Sequence, residues 1–479
     1  MHGPAVLDMD ILPALLWSDV LIWTLVLLSL VAALLARRSE PLRRGWAQVG
    51  RKHGAMAAAT LLAVFVCVGL LDSLHYRERL PERTGDTRAN YAVELRSLLD
   101  LLLSGLRSRS ETSYSQPLAT RLYNKDALTL ADGRQVRDYP RLRHGGAHLG
   151  EDEGGRGRDI AATSLRALLF AGLAWLAVAA TLATILARRQ GATLAQAWRR
   201  LWHGQTALAW RGVLLALAGV FAVVAVLAAL SAGYHALGTD KVGQDVLYLA
   251  LKSVRTALII GLLTTLVLLP LALSLGVIAG YFRGWVDDLI QYLYTTISSV
   301  PSVLLVAAAV LMMQVIIDSH AQWFSTSAQR ADVRLLALCL ILGMTSWTGL
   351  CRLLRGETLK LSQLDYVQAA HALGLSHWRV LLRHILPNLL HIVLITLVMD
   401  FSQLVLAEAV LSYVGIGVDP TTISFGTMIN SARMELAREP MVWWSLAAAF
   451  SFMLCLVLAA NLLADAVRDA FDPQLAGSS

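Results

Sequence analysis

Three histidines and two arginines are gathered in one polar stretch between two strongly apolar runs. Residues 365–388 read DYVQAAHALGLSHWRVLLRHILPN, with the ionisable side chains spaced among apolar ones. Such a segment is amphipathic and basic, and it is too polar to cross a bilayer. Ala369 and Ala370 are small enough to let another surface approach the backbone. A helix of this kind lies on lipid headgroups or fits a groove of a partner protein, and the pattern alone leaves both open.

Two short helices are predicted within this stretch. Asp365 is a favourable N-cap residue, and Gln368 three positions later completes a capping-box pattern. Gly374 predicts the end of the first helix, because glycine tolerates a left-handed backbone there. Ser376 can cap the second helix. Pro387 predicts a kink or a helix start where the chain enters the membrane.

Polar side chains also occur inside the next apolar run, 385–411. A charge at the bilayer centre costs roughly 2.5–3.5 kcal/mol on insertion scales, so such a residue usually faces a cavity or a partner. Asp400 and Gln403 are one helical turn apart, whereas Glu408 lies near the end of the run. For Glu408 we expect a helix-packing or gating role.

Patterns typical of catalysis or metal binding do not occur in the sequence. There is no H-E-x-x-H and no C-x-x-C, and the four cysteines lie in or beside apolar runs. His144 and His148 are four residues apart but lie among glycines, so no metal site is expected there. No G-x-x-x-x-G-K-[ST] occurs, which disfavours ATP binding of that type. An intramembrane enzyme is therefore disfavoured.

Composition indicates a membrane protein with many spans. Of 479 residues, 56% are hydrophobic and 16% charged, with a mean hydropathy of +0.57. Basic residues flank the apolar runs instead of forming one face, which disfavours nucleic-acid binding. The sequence predicts an all-α polytopic fold with about nine transmembrane helices, at about 11–36, 55–71, 161–187, 212–232, 254–280, 287–317, 335–354, 385–411 and 441–464.

The basic loops predict how the chain is oriented. Residues 37–54 and 188–211 are rich in arginine and nearly free of acids, so both should be cytoplasmic. The N-terminus and residues 72–160 then lie outside, and the C-terminus lies inside. Within 72–160 we expect a small helix over YAVELRSLLDLLLSGL, and loop or disorder from HGGAHLGEDEGGRGRD onward.

Four blocks of the sequence resemble a known family. QAA-HAL-G followed by HILP is similar to the Glu-Ala-Ala loop of permease subunits in ABC-type importers. GTDKVGQDV at 238–246, AGYFRGWVD at 279–287 and LAEAVLSYVGIGV at 406–418 resemble blocks of its dipeptide, oligopeptide and nickel branch. Gln368, Gln244 and His384 depart from the pattern, and Gln368 carries no charge where the family has Glu. The family-motif residues outside the loop are Gly238, Thr239, Asp240, Gly243, Asp245 and Gly280.

This resemblance covers roughly 233–472 and implies an architecture. The last six spans, within 212–479, would form a type I ABC importer permease core. Its cytoplasmic coupling loop, 355–384, would dock on a separate ATPase. Residues 1–211 would form an extension with three spans and the extracytoplasmic segment 72–160. The residues implied in ATPase coupling are Asp365, Gln368, Ala369, Ala370, Gly374 and Pro387.

The resemblance also implies partners. These are ATP-binding ABC subunits that use ATP and Mg, a second similar permease, and an extracytoplasmic substrate-binding protein. The chain itself would bind no cofactor and would lie in the bacterial inner membrane, in contact with lipid. Its substrate could be a dipeptide, an oligopeptide, a nickel chelate or an antimicrobial peptide.

Two other hypotheses about the function stay open. One is a permease-like assembly or sensing subunit, and the other is an ion-driven secondary transporter, for which the expected internal repeat is not evident. For the importer, we hypothesise that Asp400 faces the translocation path and favours cationic groups such as a peptide amino terminus. Gln403 and Glu408 are candidates for the path or its gating.

Overall fold

The structure is a computed structural model that describes residues 11–37, 40–79, 91–129, 135–150, 153–324 and 326–471. Nine helices within these ranges are long and apolar enough to cross a membrane, which confirms the predicted all-α polytopic class. The α-helices in chain order are α1 Trp17–Ala36, α2 Glu40–Val49, α3 His53–Asp72, α4 Leu98–Leu102, α5 Ser104–Ser108, α6 Arg156–Gln190, α7 Leu194–Trp202, α8 Trp210–Ser231, α9 Val246–Phe282, α10 Gly284–Ser299, α11 Ser302–Ser319, α12 Ser327–Leu361, α13 Asp365–Ala372, α14 His377–Val380, α15 Leu386–Val414, α16 Phe425–Leu436 and α17 Trp444–Phe471.

One predicted span, 287–317, is wrong in its extent. The chain forms α10 and α11 there, separated at Val300 and Pro301. Proline lacks a backbone N–H and disfavours the helical conformation of the residue before it, and Val300 is accordingly extended. Pro270, by contrast, lies inside α9, which continues through it.

Residue contacts divide the chain into two compact units. The first comprises Met1–Leu15, Ala47–Thr256 and Ile423–Ala459, and the second comprises Leu16–Trp46, Ala257–Thr422 and Ala460–Ser479. The boundary that we expect between the N-terminal extension, 1–211, and the permease domain, 212–479, was drawn from the resemblance and stays a prediction.

In the first unit, α8 packs against both α3 and α6. Ala179, Ala183 and Ala187 recur every four residues and are buried, so α6 presents a stripe of small side chains to its neighbours. Gly212 at the start of α8 touches the backbone of His53 at the start of α3, where a Cβ would overlap the His53 carbonyl. These close approaches hold the three spans together.

Short strands that the sequence did not predict lie before α1, at the start of the span expected over 11–36, and in the segment that follows α3. Strands β1 Ile11–Pro13, β2 His75–Glu78 and β3 Arg96–Ser97 form an antiparallel sheet in that order. Strands β4 Asp126–Thr129 and β5 Gln135–Asp138 form a hairpin. The single helix expected over 91–106 is instead the two short helices α4 and α5. The expectation of loop from residue 144 was also too broad, because α6 already begins at Arg156.

In the second unit, α12 is the central helix and contacts α1, α10, α11 and α15. Gly276 and Gly280 of α9 lie against α12, and a Cβ at Gly280 would be 2.6 Å from the Arg355 carbonyl oxygen. The family-motif residue Gly280 therefore allows close helix packing. The buried cluster around this contact includes Cys351 and Leu354.

Candidate functional site

The polar stretch 365–388 forms the predicted helix–turn–helix, with corrections at its caps. The first helix is α13, and its N-cap position is Leu364 instead of Asp365, so the predicted capping box is wrong. Asp365 is the first helical residue, where its charge favours the positive end of the helix dipole. The Gln368 side chain instead donates a hydrogen bond to the Gln363 carbonyl at 3.1 Å, which ties α13 to the preceding turn.

The turn after α13 follows the sequence prediction more closely. Gly374 has φ +77°, a left-handed conformation that glycine adopts without strain. Ser376 occupies the N-cap position of α14, although no side-chain capping bond is described there. A turn of π-helix over Leu381–Ile385 then leads into α15, and Pro387 lies in the first turn of that helix.

One face of α13 is buried and the other is open to solvent. Val367 and Ala370 are 0% and 5% exposed and pack into the cluster that contains Cys351 and Leu354. Ala370 therefore packs against the rest of the chain, and its role in ATPase coupling stays a prediction. Ala369 is exposed. Exposed side chains of the same loop form what we call the docking face: Leu364, Tyr366, Ala369, Leu373, Trp378 and Leu382.

The loop is fastened to the end of α9 by a phenol between two imidazoles. The Tyr281 hydroxyl lies 2.6 Å from His371 Nε2 and 3.0 Å from His377 Nδ1. Because a phenol has one proton, it donates to one imidazole and accepts from the N–H of the other. The two histidines flank the Gly374 turn, so Tyr281 fixes the angle between α13 and α14.

An ion pair holds the neighbouring helices. Asp287, in the first turn of α10, accepts from the Nε and Nη2 of Arg355 on α12, the latter at 2.7 Å. This bidentate geometry gives both helices a defined orientation at the side where the coupling loop begins. Arg283 also donates to the Ser362 hydroxyl at 3.0 Å.

The three polar candidates in α15 have different surroundings. Asp400 is half-buried, and no hydrogen bond or ion pair is described for it within the described residues. Gln403 is exposed. Glu408 is 2% exposed and accepts a hydrogen bond from the Ser412 hydroxyl at 2.7 Å, which suits helix packing. The role of all three residues in the path or its gating stays a prediction, and the half-burial of Asp400 without a described partner is what a group facing a path or a partner would show.

The motif loop 238–246 is shaped by its own residues and by residues 111–115. Gly238 and Gly243 have φ +78° and +77°, and a Cβ at either would overlap the backbone of Ser115 or Glu111. The Asp240 carboxylate accepts from the N–H groups of Val242 and Gln244 at 3.0 and 2.8 Å. These motif residues therefore act through backbone geometry.

The side chains of Thr239 and Asp245 complete that loop. The Thr239 hydroxyl donates to the Ser113 carbonyl at 2.9 Å and accepts from the Ser115 N–H at 2.7 Å. Asp245 accepts from the Leu247 N–H at 2.9 Å and so caps the start of α9. The segment 111–115 and the motif loop therefore fold as one piece.

A buried histidine between two carboxylates joins the two segments. His235 Nδ1 lies 2.9 Å from Asp245, and its Nε2 lies 3.3 Å from Glu111. Both ring nitrogens face acceptors, so a charged imidazolium is the form that satisfies both. Burial by itself lowers the pKa of His235, but its hydrogen bonds to the two carboxylates outweigh burial and raise the pKa to about 9.

Glu111 is held equally firmly from its other side. It accepts hydrogen bonds from the backbone N–H groups of Arg143 and His144 at 2.9 and 2.8 Å. Burial alone raises the pKa of Glu111, yet the bonds from His235 and the backbone lower it to about 2. We call Glu111, His235 and Asp245 the motif-loop cluster.

A second charge cluster lies at the first turns of α9. Lys252 Nζ is 2.7 Å from Asp72 and 3.1 Å from Asp100, and the Tyr248 hydroxyl donates to Asp100 at 2.8 Å. Burial raises the pKa of Asp100, but the neighbouring Lys252 cation and the hydrogen bonds lower it overall. We call Asp72, Asp100, Tyr248 and Lys252 the lysine cluster. The lysine cluster was not predictable from the sequence, because Lys252 is separated from Asp100 and Asp72 by 152 and 180 residues.

Taken together, the nine apolar helices and the helix–turn–helix between two of them define a multi-pass membrane protein. The family model described as binding-protein-dependent transport system inner membrane component matches residues 272–477. A glutathione transport system permease of Pectobacterium atrosepticum is 32% identical over 241 residues, covering 50% of this chain and 73% of that protein. An oligopeptide transport system permease of Mycobacterium tuberculosis is 29% identical over 239 residues, covering 50% and 76%. A dipeptide transport system permease of Lactococcus lactis is 30% identical over 240 residues, covering 50% and 64%.

The chain belongs to the family of binding-protein-dependent transport system inner membrane components. It is therefore a membrane-embedded permease subunit of an ABC importer, and its family consists of transport subunits and not of enzymes. Proteins of this kind work with an ATPase and a substrate-binding protein. The chain is a multi-pass inner-membrane protein.

Proposed function

We propose that the docking face is the surface through which this permease receives the movement of its ATPase. The observation that carries this is that one side of α13 is buried and the other is exposed. Ala370 packs inside, whereas Ala369 and Leu373, which follows the helix, are exposed. An isolated apolar surface of this kind in a soluble environment needs a protein cover. A force applied to α13 would reach α12 and α15 through the buried side chains.

The ATPase is a separate chain that binds ATP and Mg, and a second, similar permease completes the path. In this arrangement the N-terminus lies outside, and the coupling loop and the C-terminus lie in the cytoplasm. Arginine-rich loops 37–54 and 188–211 support that orientation.

The transported substrate is proposed to be a peptide or a small peptide-like solute. Relatives named for glutathione, oligopeptide and dipeptide transport support this class. We further propose that Asp400 faces the path and favours cationic groups, because it is a half-buried acid in the middle of a span with no described partner.

Reconstitution tests the function as a whole. The chain is placed in proteoliposomes with its ATPase, the second permease and the binding protein, and ATP-dependent peptide uptake is measured. Leu373→Asp should abolish uptake, because it puts a charge on the most exposed apolar side chain of the docking face. Leu102→Asp is the matched control, since Leu102 is also exposed but lies in α4. Equal uptake by both variants would contradict the docking assignment.

Asp400 is tested in the same vesicles. Asp400→Asn should lower uptake of cationic peptides several-fold relative to neutral ones, because the attraction is electrostatic. Gln403→Ala serves as the comparison, one turn along the helix. If Asp400→Asn changes both substrates equally or neither, Asp400 does not select charge.

A further inference from the structure

Helix α7 is folded back on the end of the α3, α6 and α8 group. The chain turns at Gly191, which has φ +61°, and α7 starts at a capping box formed by Thr193 and Gln196. Ala197 and Leu201 are almost fully buried, and α7 contacts α6 and α8. The opposite face of α7 is open and carries Leu194, Arg199 and Arg200.

A second basic loop reaches the same place. The Ala209 N–H donates to the Gly50 carbonyl at 2.7 Å, and Gly212 lies against the His53 backbone. The loop before α3 and the loop before α8 therefore meet at one end of the packed helices. The exposed arginines gathered there, which we call the basic collar, are Arg51, Arg188, Arg189, Arg199, Arg200 and Arg211.

The sequence segments that form the collar are poor in acids. Residues 188–211 hold five arginines and neither Asp nor Glu, and Arg51 adds a sixth arginine. The Arg200 guanidinium is oriented by the Gln190 side chain, to which it donates at 3.0 Å. Arginines gathered on one surface repel one another, so the surface favours an anionic ligand.

Three tryptophans lie beside the collar. Trp202 lies 6.3 Å from both Trp175 and Trp198, and Trp175 donates to the Leu214 carbonyl at 2.7 Å. Tryptophan is enriched at the boundary between headgroups and hydrocarbon. The adjacent Ile185 and Leu215 are exposed, so apolar span surface continues directly from the collar.

We propose that the basic collar binds the phosphate headgroups of anionic phospholipids and thereby anchors the N-terminal part of the chain. The cations contact the headgroups, the indoles lie at their base, and α6 and α8 continue into hydrocarbon. A soluble acidic protein fits less well, because the half-buried indoles and the apolar span beside the collar require a membrane boundary. This assignment goes beyond the docking of the ATPase and uses none of its residues.

Lipid retention measures the proposal directly. The full-length protein is incorporated in nanodiscs of equal parts phosphatidylcholine and phosphatidylglycerol, and the lipids retained on release are identified by native mass spectrometry. The wild type should retain phosphatidylglycerol selectively. Arg199→Gln with Arg200→Gln should lower that retention by about thirtyfold, as expected for losing two cations at a charged surface.

Two further variants separate charge from folding. Arg199→Lys with Arg200→Lys should retain the anionic lipid, because the charges remain. Lys125→Gln with Arg137→Gln is the control pair, exposed on the β4–β5 hairpin and its approach, and should behave as the wild type. Equal retention of the two lipids by the wild type, or unchanged retention by the glutamine pair, would overturn the proposal. Loss of ATPase co-purification with unchanged lipid retention would assign the collar to a protein partner instead.

Discussion

The two charge clusters and the coupling loop differ in where their side chains find partners. In the motif-loop and lysine clusters, buried charges find their counter-charges within the same chain. In the coupling loop, α13 buries Val367 and Ala370 but leaves Leu373 83% exposed. Removing one member of a buried ion pair is costly, so the first region should be rigid. The second region is the surface that we propose the ATPase covers.

The N-terminal extension, residues 1–211, supplies acids to both charge clusters. Asp72, Asp100 and Glu111 lie in the part of the chain outside the resemblance, whereas His235, Asp245 and Lys252 lie inside it. Each buried cation is therefore neutralised by at least one acid of the extension. We infer that the extension stabilises the start of α9, and this favours a structural role for it over a separate sensing role.

Removing the buried cation gives the largest expected effect. Lys252→Met leaves Asp72 and Asp100 facing each other with no ammonium between them, so the free energy of unfolding should fall by about 3–5 kcal/mol. Thermal unfolding in nanodiscs measures this. Lys360→Met is the control, because the Lys360–Glu357 pair is exposed and should change stability by less than about 0.5 kcal/mol. Adding Asp72→Asn and Asp100→Asn to Lys252→Met should restore part of the loss, and equal losses in both single variants would remove the contrast between the regions.

The stability of the motif-loop cluster should depend on pH. The pKa of His235 is raised from 6.5 to about 9, so its contribution is complete below pH 6.5 and is lost as pH rises through 9. The pKa of Glu111 is lowered from 4.5 to about 2, so its contribution is lost only as pH falls toward 2. Hydrogen exchange of residues 111–115 should therefore accelerate several-fold between pH 6.5 and 9, after correction for intrinsic rates. In His235→Gln the protection should be lower at pH 6.5 and flat across this interval, and a wild type that is flat as well would refute the charged imidazole.

The smallest effect on stability is expected at the coupling loop. Tyr281→Phe removes one hydroxyl and leaves two imidazoles without their partner, which should cost about 0.5–1.5 kcal/mol. Because the angle between α13 and α14 is then free to vary, uptake per ATP hydrolysed should fall more than stability does. Tyr292→Phe, at an exposed site on α10, is the matched control. A variant with normal uptake per ATP would show that the phenol does not transmit movement.

Long apolar runs made the spans readable from the sequence, since hydrocarbon thickness dictates their length. Pro301 was visible as well, but whether a proline bends a helix or ends it depends on its surroundings, as Pro270 shows. The two charge clusters could not be predicted, because they join residues 124 to 180 positions apart. Within α13, periodicity gave a helix, whereas the choice between Ala369 and Ala370 as the outer residue depended on how α13 packs on α12 and α15.

Site-directed disulfide crosslinking tests directly whether the docking face contacts the ATPase. A cysteine at Ala369 and, separately, at Ala370 is introduced into a chain whose exposed Cys67 and Cys455 are replaced by serine. The ATPase carries a cysteine in the groove that faces the permease, and the complex is oxidised with and without nucleotide. We expect a crosslink from Ala369→Cys that changes with nucleotide, and none from Ala370→Cys. A crosslink from Ala370→Cys alone, or from neither in any nucleotide state, would contradict this expectation.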